Sequence, residues 1–200
     1  MNFVIISGSS RGNSESRRVA DYLLGRLEER DENVKLIDLH ETKLSLDPED
    51  IWDNDIEQGK IADEIKKKLE WADGFIVVSP EWGGMASPAL KNFFIHTGGH
   101  MAHKAALLTT VSSGRGGAYP IAELRASSYK NVHVNYIPEH LIVRGVNEVL
   151  HGSLDQYNKS DAFIRPRIEF ALDVLQDYTK ALSQVREAGR VFNEDFKHGM

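Results

Sequence analysis

Short apolar runs alternate with longer amphipathic segments along most of this 200-residue chain. This alternation predicts parallel strands joined by helices, because a connection between parallel strands has to cross one face of the sheet. We expect five strands, at residues 2–7, 33–39, 74–80, 104–113 and 132–143. Helices are expected at about 14–30, 60–72, 87–97 and 161–188, and from the segment GRGGAY to about 129, with a long polar loop at 40–59.

The whole chain is expected to form one domain over residues 1–200, because this length suits a single α/β core. Five parallel strands with helices on both faces match the flavodoxin-like fold, a doubly wound α/β sheet with the strand order 2-1-3-4-5. The long helix at about 161–188 and a short tail then complete the domain.

Composition excludes several classes of protein. A net charge of −6 argues against nucleic-acid binding, which needs a basic surface. The chain has no cysteine, so disulfides, thiolate catalysis and cysteine zinc sites are excluded. No apolar stretch approaches the roughly 20 residues of a membrane span, and no basic segment precedes the short apolar run at the N-terminus. We therefore expect a cytoplasmic protein without nucleic-acid or membrane partners.

Three loops rich in glycine and serine follow the first, third and fourth predicted strands. Their sequences are GSSRGNS, PEWGG and SSGRGG. In the order 2-1-3-4-5 these three strands are neighbours, and the strand order reverses beside the first of them. Ligands bind at such a point, so the three loops predict one shared binding site at the carboxyl edge of the sheet.

The first of these loops is compatible with two chemistries. Residues Gly8–Gly12 match the G-x-S-x-G turn that presents a nucleophilic serine, here Ser10. That turn needs an oxyanion-hole amide from the loop of an earlier strand, and only seven residues precede this one. Anion binding fits better, because the first N–H groups of the following helix have no partner in the helix and the helix dipole favours negative charge there.

Side chains of the same loop add donors for an anion. Ser9, Ser14 and Ser16 offer hydroxyl groups and Arg11 offers a guanidinium, while Asn13 or Ser14 can cap the helix. The lysine motif of nucleoside-triphosphate loops is missing, and so is the G-x-G-x-x-G pattern of dinucleotide binding. We expect this loop to hold a phosphate group.

Together the three loops resemble those of the NADPH-dependent FMN reductase family. GSSRGNSESRRVA is similar to the family segment G-S-x-R-x-x-S-x-x-x-x-x-A, SPEWGGMASPALKNFF to P-E-Y-N-x-S-x-P followed by L-K-N, and SSGRGGA to S-x-G-x-x-G. The motifs occur in the family's order, and the resemblance spans residues 1 to about 145. It implies a flavoprotein that binds FMN, uses NADPH or NADH, and needs no catalytic side chain.

By this resemblance the cofactor-binding residues fall into two groups. The phosphate would contact the first loop, and the flavin ring would lie between the second and third loops. The candidates are Ser9, Arg11, Asn13, Ser14 and Ser16 in the first loop, Pro80, Glu81, Trp82 and Gly83 in the second, and Ser113, Gly114, Arg115, Gly116 and Gly117 in the third. Glu81 is expected to hold its loop in place or to meet a neighbouring subunit.

The second loop departs from the family pattern. Trp82 stands where tyrosine is usual, and it is either an aromatic wall for the ring or a packed core residue. Gly83 and Met85 replace the usual Asn and Ser, and the proline comes one residue late, at Pro88. These changes bear on the choice of electron acceptor more than on cofactor binding, which rests mainly on backbone groups.

The expected activity is hydride transfer from NAD(P)H to FMN and then to a quinone, a flavin, an azo compound or a similar small-molecule acceptor, with ping-pong kinetics. The resemblance also implies a homodimer or homotetramer. Two alternatives stay open, a flavodoxin-type electron carrier and an FMN-binding redox sensor without turnover of its own. The modest net charge and the glycine-rich second loop argue against the carrier.

Three histidines, His96, His100 and His103, have a spacing that would place them on one side of a helix. Gly98 and Gly99 are expected to end the helix between them, and no carboxylate nearby completes a set of metal ligands. We therefore expect no metal site.

Overall fold

Parallel strands form the centre of the protein in a computed structural model that describes residues 1–46, 57–151 and 158–196. In these residues the strands are β1 (Asn2–Ser7), β2 (Asn33–Asp38), β3 (Gly74–Trp82), β4 (Met85–Ala86), β5 (Ala105–Val111) and β6 (Asn135–Val143). The parallel strands pair in the order β2-β1-β3-β5-β6, and β4 pairs antiparallel with the end of β3.

The doubly wound α/β architecture is as predicted, while the strand order differs in detail from 2-1-3-4-5. The prediction did not include β4, whose two residues pair with Glu81 and Trp82. A turn at Gly83 and Gly84 makes this pairing possible, with φ angles of 58° and 78° that favour glycine. Pairing with β4 also extends β3 to Trp82, beyond its predicted end at residue 80.

Helices cover both faces of the sheet. In the described residues they are α1 (Glu15–Glu28), α2 (Glu57–Trp71), α3 (Pro88–Thr97), α4 (Ala118–Ser127) and α5 (Lys159–Glu187), with short 3₁₀ helices at Gly98–Met101, Val146–Glu148 and Glu194–Phe196. Within that part of the chain, no helix combines the length and the apolar content that crossing a membrane would require.

Two hydrophobic clusters attach these helices to the sheet. On one face, α1 and α5 contribute buried side chains that include Leu23, Leu27, Ile168 and Leu172. On the other face, α2, α3 and α4 contribute buried side chains that include Leu69, Phe93 and Leu124. Burying one such side chain stabilises the fold by about 1.5–3 kcal/mol. Both faces of the strands are therefore fixed, and the loops at the strand ends remain available for a site.

Several element boundaries differ from the predicted ones for local reasons. β6 begins at Asn135 rather than at 132, because His133 adopts a left-handed conformation with φ 53°. α5 begins at Lys159, where the Asn158 side chain accepts hydrogen bonds from the first turn. α3 ends at Thr97, as the following glycines predicted. Of the loop predicted at 40–59, residues 47–56 lie outside the described part of the chain.

Candidate functional site

A cleft of about 280 Å³ lies at the carboxyl edge of the sheet, where β1, β3, β5 and β6 end. Side chains from four segments line it: Ser9, Arg11, Asn13, Ser14, Glu15 and Ser16 after β1, Pro80, Glu81 and Trp82 at the end of β3, Val111 and Ser113 at the end of β5, and Val146 and Asn147 after β6. The first and second predicted loops therefore meet here, with part of the third.

Gly8 brings the first loop close to β3. Its N–H donates to the carbonyl oxygen of Val78 at 2.8 Å, and a Cβ atom at Gly8 would come within 2.7 Å of that oxygen. Its own carbonyl accepts a hydrogen bond from the buried hydroxyl of Ser87, at the start of α3. Only glycine allows this approach without displacing backbone, so the loop has a fixed starting point.

The start of α1 provides hydrogen-bond donors for an anion. Ser14 caps the helix, and its side-chain oxygen accepts a hydrogen bond from the Arg17 N–H at 3.0 Å. The amides that precede Arg17 in the first turn have no acceptor within the helix. Ser9 and Ser16, both buried, add hydroxyl groups beside them. These donors converge on the end of the cleft next to α1.

Arg11 supplies the positive charge at this end of the cleft. The nearby Arg17 is held by Asp21 and Asp38, whose hydrogen bonds raise the pKa of its guanidinium. The guanidinium of Arg11 instead lies over the indole of Trp82, 5.2 Å from the ring centre. This cation–π contact connects the first loop to the second and directs the arginine into the cleft.

Glu81 joins the second loop to the third. Its carboxylate accepts a hydrogen bond from the N–H of Gly117 at 2.5 Å. A Cβ atom at Gly116 would overlap this carboxylate, so the contact depends on glycine at that position. The carboxylate therefore holds its loop in place, one of the two roles expected for it.

A fourth segment of the cleft, residues 144–150, had no counterpart among the predicted loops. Arg18 donates to the carbonyl oxygens of Val146, Val149 and Leu150 at 2.5, 3.0 and 2.9 Å. The N–H of Val146 donates to the carbonyl oxygen of Ser112 at 3.2 Å. These bonds place Val146 and Asn147 in the cleft.

The structure brings most of the predicted cofactor-binding residues together. Those that line the cleft are Ser9, Arg11, Asn13, Ser14, Ser16, Pro80, Glu81, Trp82 and Ser113. The predicted residues outside its lining are Gly83, Gly114, Arg115, Gly116 and Gly117, and the side chain of Arg115 is exposed. Glu15, Val111, Val146 and Asn147 line the cleft without having been predicted. Of these, Val111 lies near the end of the strand predicted at 104–113, and Glu15 lies between the predicted residues Ser14 and Ser16.

The histidines that could serve a metal site or act as a catalytic base do not line the cleft. His96 Nε2 lies 3.1 Å from the carbonyl oxygen of Ser45, and His100 Nδ1 lies 2.8 Å from Glu70. Across the described ranges, no cluster of three or more His, Cys, Asp or Glu side chains is placed to hold a metal ion. His40 approaches the carbonyl oxygen of Ser10 at 3.0 Å, so this imidazole is directed at the backbone.

The donors and shape of the cleft suit a phosphate attached to a flat ring. The end next to α1 has helix amides, hydroxyl groups and one guanidinium, which are the groups that bind phosphate in proteins. The other end is lined by the half-buried indole of Trp82 and the buried Pro80, which form an apolar wall.

Comparison with known proteins gives consistent matches over most of the chain. A family model described as NADPH-dependent FMN reductase matches residues 1–148. The NADPH azoreductase of Bacillus sp. (strain OY1-2) is 29% identical over 189 residues, which cover 94% of this chain and 97% of that protein.

Solved structures share the fold. FerB, a flavoenzyme NAD(P)H:(acceptor) oxidoreductase from Paracoccus denitrificans, has a TM-score of 0.69 at 18% identity, with 90% of this chain and 97% of FerB covered. The apo form of the NADH:FMN oxidoreductase EMOB has a TM-score of 0.62 at 21% identity, with 98% of this chain and 94% of EMOB covered.

Proposed function

Because this chain belongs to the NADPH-dependent FMN reductase family and is therefore an NAD(P)H-dependent oxidoreductase, we propose that it binds FMN in the cleft at the carboxyl edge of its sheet. Bound there, FMN would supply hydride-transfer chemistry between NADPH or NADH and a quinone, flavin, azo compound or similar acceptor, with the two substrates binding in turn.

The convergence of donors at the start of α1 is the observation that carries this proposal. Ser9 and Ser16 are buried yet present hydroxyl groups to the cleft, beside the free amides of the first helical turn. Arg11 adds a positive charge that no carboxylate holds among its described contacts. Hydrogen bonds to charged groups contribute about 1.5–3 kcal/mol each, enough to hold a phosphate monoester.

The remaining residues of the cleft position the ring and the loops. Trp82 and Pro80 provide an apolar surface that excludes water from one side of the ring. Glu81 keeps the third loop against the second through its bond to Gly117. These roles are orientation and water exclusion, so no side chain has to act as a general acid or base.

The relatives suggest which substrates to test first. One relative is named an NADPH azoreductase, which makes NADPH and azo compounds the first choice. We further propose a homodimer or homotetramer. The alternatives, a flavodoxin-type electron carrier or an FMN-binding redox sensor, would bind FMN without consuming NAD(P)H in the absence of a partner protein.

The test is the visible spectrum of the purified protein with added FMN, followed by NADPH and NADH oxidation with an azo compound or a quinone. We expect a bound-flavin spectrum and turnover with at least one nicotinamide. Arg11→Ala should weaken FMN binding by about 10- to 100-fold, because one charged partner of the phosphate is removed. The exposed Arg190, in the segment after α5, gives a matched control in Arg190→Ala.

Each outcome separates the candidate functions. Bound flavin without turnover would favour the carrier or the sensor. Absence of FMN binding would overturn the proposal altogether. If Arg11→Ala and Arg190→Ala bind FMN equally well, the phosphate does not lie at the start of α1.

A further inference from the structure

Two exposed arginines, Arg115 in the third loop and Arg144 directly after β6, lie beside each other at the rim of the cleft. Two hydrogen bonds join their segments. Arg144 Nε donates to the carbonyl oxygen of Gly116 at 2.9 Å, and the N–H of Gly145 donates to the carbonyl oxygen of Gly114 at 3.0 Å. Arg115 lies between the two glycines that accept these bonds. We call Arg115 and Arg144 the rim pair.

The rim pair borders the cleft without lining it. Ser113, two residues before Arg115, lines the cleft, and so does Val146, two residues after Arg144. Two residues of extended chain span at most about 7 Å. The rim pair is therefore next to the proposed flavin site. Arg11 lines the cleft itself, so the rim pair would serve a different anion.

No carboxylate in the described part of the chain forms an ion pair with either member of the rim pair. Other arginines there do pair with carboxylates, namely Arg17, Arg18, Arg26, Arg30, Arg165 and Arg167. Arg144 uses only its Nε atom in the described hydrogen bonds, and the guanidinium of Arg115 donates none. Two guanidinium groups on adjoining segments repel each other, and an anion that accepts hydrogen bonds from both removes this repulsion. Guanidinium groups match the geometry of phosphate in particular.

An exposed aromatic ring accompanies the rim pair. Tyr119, at the start of α4 and four residues after Arg115, is 72% exposed. Its ring lies against the turn of the second loop, 3.7 Å from the position that a Cβ atom of Gly84 would occupy. A nucleobase can stack on such a ring, because every base has a flat π surface. The rim of the cleft thus offers donors for a phosphate and a surface for a base.

We propose that the rim pair binds the 2′-phosphate of NADPH and that Tyr119 packs against its adenine. NADPH carries a phosphate and a base on the same ribose, which is the combination that the rim offers. NADH lacks this phosphate, so the rim pair would make the protein prefer NADPH. This inference rests on the proposed function, since it requires the nicotinamide of the same molecule to reach a flavin in the cleft.

The first test is direct binding of two fragments to the full chain, measured by calorimetry with and without added FMN. 2′,5′-ADP carries the 2′-phosphate and 5′-AMP lacks it, so wild type should bind 2′,5′-ADP at least about 10-fold more tightly. Arg115→Ala and Arg144→Gln should each weaken 2′,5′-ADP binding by about 10-fold, and their combination by about 100-fold. Glutamine at position 144 keeps an amide that can donate to Gly116. Arg190→Ala is the matched control for an exposed arginine.

Tyr119→Leu tests the base. This variant removes the stacking surface and keeps both charges, so it should weaken 2′,5′-ADP and 5′-AMP by the same factor, about 5-fold or more. A loss confined to 2′,5′-ADP would contradict the placement of adenine on Tyr119.

The second test compares NADPH with NADH as hydride donors for the FMN-loaded protein. The ratio of their kcat/KM values should fall by about 100-fold in the combined arginine variant and stay at the wild-type value in Arg190→Ala. An unchanged ratio would overturn the proposal. A loss confined to a sulfonated azo acceptor would do the same, because it would assign the rim pair to the acceptor.

FMN titration separates this inference from the proposed function. If Arg115→Ala weakens FMN as much as it weakens 2′,5′-ADP, the arginine belongs to the flavin site and the inference is overturned. A wild type that binds FMN without preferring 2′,5′-ADP to 5′-AMP would overturn the inference alone. A wild type that binds 2′,5′-ADP through the rim pair but does not bind FMN would overturn the proposed cofactor and leave the phosphate site in place.

Discussion

The carboxyl and amino edges of the central sheet are built differently. At the carboxyl edge, hydroxyl groups, helix amides and Arg11 face an open cleft. At the amino edge, polar side chains form hydrogen bonds with other groups of the protein. Lys104 Nζ donates to the carbonyl oxygens of Leu69 and Glu70 at 2.7 and 3.1 Å, at the end of α2.

Aromatic packing covers the amino edge further. The ring of His103 lies 5.3 Å from that of His133 and 5.5 Å from that of Phe192, in the segment after α5. Arg186 donates to the carbonyl oxygen of His103 at 3.1 Å. The C-terminal segment thus contacts the start of β5.

The amino edge consists of groups that stabilise the fold, whereas the carboxyl edge also holds groups that are available to a ligand. Substitutions at the amino edge should change unfolding and leave FMN binding unaffected. At the carboxyl edge the same glycines and carboxylate that stabilise the loops also shape the cleft, so substitutions there should change both properties.

The largest effect is expected from Gly117→Ala at the carboxyl edge. Gly117 has a φ of 101°, and an added Cβ would overlap the side chain of Ile142. Backbone strain and overpacking together should lower the free energy of unfolding by about 3 kcal/mol and weaken FMN binding. Denaturant unfolding and FMN titration measure the two effects.

Gly114→Ala is the matched control in the same loop. Apart from its two chain neighbours, no residue comes within 4 Å of the position its Cβ would occupy, so this variant should resemble wild type in both measurements. Equal effects of the two substitutions would show that loop flexibility, and not space, determines the result.

A smaller effect is expected from Glu81→Ala, which removes the acceptor for the Gly117 N–H. The loss of a hydrogen bond to a charged group should lower the free energy of unfolding by about 2 kcal/mol. Glu81→Gln keeps a weaker acceptor and should lose about half as much. Glu64→Gln on the exposed surface of α2 controls for the change in net charge. If Glu81→Ala unfolds like wild type, the carboxylate does not hold the third loop.

At the amino edge, Lys104 should make the free energy of unfolding depend on pH, with no effect on FMN binding. Burial lowers the pKa of Lys104 to about 8, and the neighbouring charge of Arg186 acts in the same direction. Between pH 8 and about 10.5 the unfolded chain keeps a proton that the folded chain loses. The free energy of unfolding should therefore rise with pH in this window, by at most about 1.4 kcal/mol per pH unit from this group.

Lys104→Met should remove this contribution to the pH dependence and leave FMN affinity unchanged. The comparison is between unfolding curves at pH 8, 9 and 10 for wild type, Lys104→Met and the exposed-site control Lys130→Met. A pH dependence identical in all three would show that Lys104 keeps its proton in the folded state.

The strands and the family were predictable from the sequence because their signals are local. Each parallel strand is a short apolar run between polar segments, and the match to residues 1–148 confirms the family predicted from three motifs. β4 was not predictable in the same way. A strand of two residues is too short to show a periodic pattern. Its pairing with β3 depends on the turn at Gly83 and Gly84.

The cleft was predictable where its residues belong to the three loops that follow predicted strands. The spacing from Ser9 to Ser16 places these side chains around the start of one helix, so the first loop could be predicted as a unit. Asn147 reaches the cleft because of contacts between Arg18 and a segment more than a hundred residues later. The direction of an exposed loop side chain is not encoded locally either, as Arg115 shows. The role of Arg115 in binding stays a prediction.

The contacts of Arg18 also set the order in which the site can be completed during synthesis. Its carbonyl partners lie 128 to 132 positions later in the chain. The first loop and α1 therefore leave the ribosome long before one side of the cleft exists. A nascent chain has the first loop early but gains a complete cleft only after β6 joins the sheet. If the cleft holds FMN as proposed, capture of the flavin is consequently among the last events of biogenesis, and chains that stop before residue 143 should be released without one.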